Sequence, residues 1–205
     1  TSVLLSLDGI KQLLEMHPDR VVVIDEAYID FGGQSAVSLI DQYPNLVVCQ
    51  TTSKSRALAG LRIGMAFAQA HLIEALERVK NSFNSYPLDR LALLGAQAAI
   101  EDEDHFKTTC EAVIHTREGL VRELTALGFD TLPSQANFIL TRHPLKDAAE
   151  LLRQLRDRKI LVRHFALPRI EQHLRISVGT PAECQTLIEA LKDILNASAS
   201  EGTPS

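Results

Sequence analysis

Residues 21–31, VVVIDEAYIDF, decide the fold. Four consecutive β-branched side chains are the pattern of a strand buried on both faces, and such strands belong to parallel sheets with helices packed around them. The run ends in Asp25 and Glu26, and Gly32-Gly33 breaks it. A short polar linker containing Tyr43-Pro44-Asn45 leads to a second apolar run, LVVC at 46–49, which passes into TTSKSRALAGLRIG, Thr51 to Gly64. LRIGMAFA, 61–68, reads as a third strand. Asp25 and Lys54 therefore both follow the carboxyl ends of strands, which is where sheets of this kind hold ligands. If the two strands are neighbours, an acid and an amine face one crevice.

Upstream, Ser6 is placed to cap a helix whose apolar face is Leu7, Ile10, Leu13 and Leu14, with His17-Pro18 as its stop. Downstream, Leu72, Ile73, Leu76 and Val79 share one helical face, and Leu91, Leu94 and Ala98 another. From Asp102 the pattern is that of a long helix to Leu127 with Gly128 as its C-cap. Strand NFIL, helix 147–158, strands ILVRHF and LRISVG, and helix 181–195 follow. The expected fold class is α/β: part of a large, mostly parallel sheet domain over 1–88, a small α/β domain over 89–195, and a disordered tail over 196–205.

Across 205 residues, 45% are hydrophobic, enough for a core, and the net charge of −5 with scattered basic residues argues against a broad nucleic-acid surface. Cys49, Cys110 and Cys184 have no metal-like spacing and point to a reducing, cytoplasmic setting. No apolar run approaches the roughly 20 residues of a membrane span.

An acid and an amine separated by the width of something flat suit pyridoxal 5'-phosphate, which needs a lysine for a Schiff base, an acid on its ring nitrogen and an anion site. Lys54, Asp25 and Arg62 are candidates for the three roles, with Tyr28 for the phenolic oxygen and Ser53 and Thr51 as further phosphate donors. Each has a plainer reading alone: Asp25-Glu26 as a solvated turn, Lys54 as surface decoration, Tyr28 as packing, Arg62 as an ion-pair partner of Asp25 or Glu26.

DEAYIDF, TTSKSRALAGLRIG, SYPL, ANFIL, ILVRHF and LRISVGT, in that order, resemble the histidinol-phosphate aminotransferases, in the class II branch of the fold-type I pyridoxal-phosphate enzymes. The resemblance runs from about Val21 to Leu195. It implies Lys54 as Schiff-base lysine and proton shuttle, Asp25 on the ring nitrogen, Tyr28 on the phenolic oxygen, and Ser53 with Arg62 on the phosphate. Arg175 and Arg163 match substrate-anion arginines, with Asn137 and Tyr86 as lining residues. From spacing alone the structural reading of the two arginines is favoured, Arg175 as an ion-pair partner of Glu171, while Asn137 reads as a turn residue and Tyr86 as a packing residue. The implied substrates are histidinol phosphate or imidazole-acetol phosphate with glutamate or 2-oxoglutarate, in a homodimer that binds neither nucleic acid nor membrane. The family also has a segment before the position matching Thr1, so the chain is expected to be the C-terminal part of a longer enzyme. The alternatives are a threonine-phosphate decarboxylase-like enzyme and a truncated module without turnover.

Overall fold

The computed structural model describes residues 2–200 and is mixed α/β. Its contacts divide it into two compact units, Leu4–Cys110 and Glu111 onward, the latter joined by Ser2 and Val3.

In the first unit, helix α1 (Leu7–Met16) starts at Ser6, whose hydroxyl accepts from Gly9 N at 3.1 Å. Strand β1 (Val22–Asp25) follows, then β2 (Leu46–Thr51) and β3 (Gly64–Ala68), in the sheet order β1-β2-β3. The β1–β2 pairing is parallel, with Asp25 opposite Cys49, and the β2–β3 pairing is antiparallel. Val22 and Ile24 turn toward a core of Ile10, Leu14, Ala36, Leu39, Leu46 and Val48. The opposite face of β1 is open: Val21 is 55% and Val23 60% exposed, so the run is buried on one face, not two. Asn45 is buried, and its Nδ2 reaches the carbonyl oxygens of Leu14, His17 and Arg20, tying the end of α1 to the start of β2. A buried polar residue that reaches three backbone acceptors is a structural joint, which a reading of Tyr43-Pro44-Asn45 as linker does not anticipate.

Helices α2 (Ala70–Phe83) and α3 (Arg90–Glu101) come next. The buried face of α3 is Ala92 and Ala96 against Ile63, while Leu91 and Leu94, expected to face inward, are exposed. Small side chains allow the backbone of α3 to approach the 3₁₀ turn Ala59–Leu61 closely: a Cβ on Gly95 would come within 2.6 Å of Leu61 Cδ1. Helix α3 packs on Ile63 within the first unit, and the division between the two units falls at 110/111, inside helix α4 (Glu103–Ala126).

The second unit carries a four-stranded antiparallel sheet in the order β4 (Asp130–Thr131), β5 (Phe138–Arg142), β7 (Leu174–Ser177), β6 (Arg163–His164). Gly128, at φ +83°, ends α4 as expected, with its N–H on Thr125 O and that of Phe129 on Leu124 O. One face of this sheet packs Ile139, Leu174 and Ile176 against Leu120 and Leu124 of α4, Leu151 and Leu155 of α5 (Ala148–Asp157), and Ile188 and Leu191 of α6 (Pro181–Ser200). Burying each such leucine stabilises by roughly 1.5–3 kcal/mol. Helix α6 continues through Ser200, into the stretch expected to be disordered, and the remainder of that stretch lies outside the described residues. Among the described residues, no helix is long and apolar enough to cross a membrane, and no group of His, Cys, Asp and Glu is placed to hold a metal ion.

Candidate functional site

Parallel pairing puts the ends of β1 and β2 side by side, and two segments leave the sheet there: residues 25–31 and residues 51–62. Asp25 is exposed at the end of β1, where its Oδ1 accepts from Ala27 N at 3.0 Å; among the described interactions, Oδ2 has no partner. The asparagine-like turn this makes leads to Tyr28, half-buried, and then to the 3₁₀ turn Ile29–Phe31. Lys54 Nζ lies 5.4 Å from the centre of the Tyr28 ring. The amine and the phenol of the sequence analysis are thus brought together, with Asp25 on the same segment as the phenol.

The lysine segment is folded by its own polar groups. Thr51 Oγ1 donates to Ile63 O and lies 2.9 Å from Ser53 Oγ, and Ser53 N donates to Thr51 Oγ1 at 3.1 Å. Backbone bonds from Ala57 N to Lys54 O and from Leu58 N to Thr52 O close the turn around Lys54. Thr52 is fully buried and its Oγ1 has no partner among the described residues. Arg62 sits at φ 58°, ψ 39°, in the left-handed region, and Ala57 at φ 54° shares it. An L-residue there costs about 1–2 kcal/mol, strain that the surrounding contacts must offset. The Arg62 guanidinium donates to Ala59 O at 2.8 Å and is otherwise exposed; it pairs with neither Asp25 nor Glu26.

Three residues to which the sequence reading gave no part in the site hold these segments. Glu26 is only 5% exposed, the reverse of a solvated turn; its carboxylate accepts from Ser35 Oγ and Ala36 N, both at 2.6 Å, and from Gln50 Nε2 at 2.9 Å. Asp30 accepts from Ser55 Oγ at 2.5 Å, linking the tyrosine segment to the residue after Lys54. Arg56 stacks over Phe106 and donates to Ala99 O. Burial raises the Cys49 thiol above its ordinary range, with the negative charge of Asp25 adding to it. Burial likewise raises Cys110, with Asp30 adding and Arg56 opposing. The pattern DEAY drew attention to Asp25 and Tyr28 as candidates; nothing in spacing marked Asp30 and Ser55, whose link spans 25 residues.

Tyr86 is 92% exposed, and no described contact brings it to Lys54, nor does it pack before Pro87. The remaining candidates belong to the second unit. Arg163 and Arg175 are direct cross-strand partners on β6 and β7. Arg163 lies 4.9 Å over the ring of Phe165 and Arg175 4.1 Å over that of Phe138. Among the described residues neither makes an ion pair, so the Glu171–Arg175 bridge is not formed. Asn137, half-buried, accepts from Val178 N through its carbonyl oxygen where β5 meets β7.

The chain is 63% identical over 194 residues to histidinol-phosphate aminotransferase 2 of Dechloromonas aromatica, covering 95% of this chain and 54% of that protein. It is 62% identical over 195 residues to histidinol-phosphate aminotransferase of Aromatoleum aromaticum, covering 95% and 55%. The chain thus spans about half the length of these relatives. Its fold matches the crystal structure of histidinol-phosphate aminotransferase from Sinorhizobium meliloti in complex with pyridoxal-5'-phosphate, with TM-score 0.79 at 24% identity over 91% of this chain and 53% of that one. Residues 1–191 match the family of class I and II aminotransferases, and the chain belongs to that family.

Proposed function

We propose that the chain is the part of a histidinol-phosphate aminotransferase that carries its lysine, and that it holds pyridoxal 5'-phosphate between residues 25–31 and 51–62. The observation that carries this reading is the approach of Lys54 Nζ to the Tyr28 ring at the ends of two parallel-paired strands. The donor set fits the group: an amine, an acid with one oxygen unengaged, a phenol, an exposed guanidinium at Arg62, and the hydroxyls of Thr51 and Ser53, with a buried unpartnered hydroxyl at Thr52 on the same segment.

Pyridoxal phosphate, when bound, supplies an electron sink conjugated to the substrate's α-carbon. Asp25, whose Oδ2 has no partner among the described interactions, would hold a proton on the ring nitrogen. Tyr28 orients the phenolic edge by hydrogen bonding. Arg62, Ser53 and Thr51 hold the phosphate, the guanidinium by charge-assisted bonds. Lys54 Nζ would carry the proton between the substrate's α-carbon and the cofactor's C4′, the transfer that a positioned amine performs in general acid-base catalysis.

The substrate anions, a phosphate on histidinol phosphate and a carboxylate on glutamate, are assigned to Arg163 and Arg175. Two arginines at directly paired positions across antiparallel strands, with no ion pair among the described residues, favour an anion beside them. Asn137 and Tyr86 are assigned to the substrate's surroundings, and the intact enzyme is assigned as a homodimer in the cytoplasm.

The test is turnover by the full-length gene product with histidinol phosphate and 2-oxoglutarate. Imidazole-acetol phosphate and glutamate without carbon dioxide support the reading. Carbon dioxide from threonine phosphate, or no turnover with either pair, would replace it by one of the two alternatives. Lys54→Ala is expected to abolish turnover; substantial remaining activity would remove Lys54 from the reaction.

A further inference from the structure

We propose that Asp30 and Ser55 are positioning residues that hold Lys54 against Tyr28; the inference deepens the cofactor reading above and rests on it. Neither side chain is assigned to cofactor or substrate. Ser55 follows Lys54 directly, is 9% exposed, and donates its hydroxyl proton to Asp30 Oδ2 at 2.5 Å. Asp30 lies two residues beyond Tyr28, in the turn Ile29–Phe31. That turn is itself fixed: Phe31 is 2% exposed, Gly33 N donates to Ile29 O at 2.9 Å, and Ile29 N donates to Glu26 O. One hydrogen bond to a carboxylate therefore connects a rigid turn carrying the phenol to the loop carrying the amine.

The need for such a connection follows from the path of the chain. β2 is paired with β1 as far as Cys49 and with β3 as far as Thr51, and the Glu26 carboxylate accepts from the side chain of Gln50 between them. Beyond Thr51 the segment leaves the sheet and returns to it at Gly64. Lys54 sits at the start of this excursion, exposed, on a four-carbon stem whose rotamers cost about 2 kcal/mol to fix. The bonds to Lys54 O and Thr52 O shape the loop internally, and Ser55–Asp30 sets it relative to Tyr28. The Arg56 guanidinium, anchored on Phe106 and Ala99 O, and the buried Cys110 thiol are the other polar groups that share this surrounding. The clamp's role is geometric: misplacing a reacting group by about 1 Å costs on the order of 100-fold in rate.

The full-length gene product is compared with its Ser55→Ala, Asp30→Asn and Asp30→Glu variants in two ways. Without cofactor, hydrogen exchange of the Ala57 and Leu58 amides is followed alongside that of Val47 and Val48. With pyridoxal phosphate, the rate at which Lys54 acquires a borohydride-stable label is measured by quenching and peptide mass spectrometry, and noncovalent binding by absorbance. Ser55→Ala and Asp30→Asn are expected to speed exchange at Ala57 and Leu58 but not in β2. They should also slow labelling about 10- to 100-fold with binding little changed. The double variant should be no slower than the slower single one, and Asp30→Glu, which keeps the carboxylate, should recover part of the rate. Labelling within twofold of the parent in both single variants, or multiplicative losses in the double variant, would overturn the clamp, as would unchanged exchange at Ala57 and Leu58. Absence of label from the parent itself, with the loop loosened in the variants, would refute the cofactor reading while leaving the clamp on Lys54 standing.

Discussion

Arg62 combines two properties that one substitution can separate. Its backbone is left-handed, at φ 58° and ψ 39°, and its guanidinium is the proposed phosphate ligand. Replacing it by alanine keeps the strain, about 1–2 kcal/mol for an L-residue, and loses the 2.8 Å bond to Ala59 O, an exposed contact of about 0.5 kcal/mol. Replacing it by glycine removes the strain but adds about 0.5–1 kcal/mol of unfolded-chain entropy. Arg62→Gly is therefore expected to be more stable than Arg62→Ala by about 1 kcal/mol. Both variants lose a charge-assisted phosphate contact of about 1.5–3 kcal/mol, a roughly 10- to 150-fold rise in the dissociation constant for pyridoxal phosphate.

Urea unfolding gives the stability difference and an absorbance titration gives the affinity. Ala57→Gly is the control: at φ 54° it relieves the same kind of strain, and with no side-chain ligand it should stabilise without weakening the cofactor. Equal stability of the glycine and alanine variants at position 62 would show that the left-handed backbone stores no strain. Parent-like affinity in Arg62→Gly would show that the phosphate is held elsewhere, and the assignment of the guanidinium would fall with it.

The opposed arginines make a second prediction: sulfate or phosphate should raise the thermal midpoint of the parent, and Arg175→Gln should abolish most of that rise; an equal response in both would return Arg175 to a structural role. In α5, hydrogen bonding to Arg153 and Gln154 holds the Glu150 carboxyl down to about 2 from its ordinary 4.5. A folded value below the unfolded one means the stabilisation is present above 4.5 and is lost as pH falls toward 2. Glu150→Gln should therefore flatten the fall of stability across that window, measured by urea midpoints at stepped pH, and an unchanged slope would sink the assignment. Leu155, fully buried in the core of the second unit, should cost about 2–5 kcal/mol as Leu155→Ala and lower the urea midpoint; a loss under about 1 kcal/mol would mean that the site collapses without a cavity.

What could be read from the sequence divides along physical lines. Strands β1 and β2 were legible because β-branched runs have few other uses, and the placement of Asp25 and Lys54 after neighbouring strand ends followed from those runs. The open face of β1 was not legible: a run of valines looks the same whether one face or two are covered, and only the exposure of Val21 and Val23 distinguishes them. Helix α3 inverted its expected face because a stripe of leucines announces apolar surface without naming its partner, whereas Ala92, Gly95 and Ala96 permit the close approach to Leu61 and Ile63 that decides the packing. The antiparallel β2–β3 pairing, against an expectation of a mostly parallel sheet, depends on how the lysine loop returns, and that return is set by strained residues 57 and 62.

The same reasoning explains why the frame of the site was invisible. A cofactor's functional groups dictate amine, acid, phenol and guanidinium, so those positions carry a recognisable chemical identity. Glu26, Asp30 and Ser55 answer only to one another and to Gln50, Ser35 and Ala36, and many polar combinations would meet that requirement. Adjacent carboxylates in DEAY therefore read as one solvated turn, although Asp25 is exposed and Glu26 is buried under three donors. Burying a carboxylate is tolerable only because those donors replace water around it. Removing any of them should therefore disturb the turn between Asp25 and Tyr28 before it disturbs the sheet.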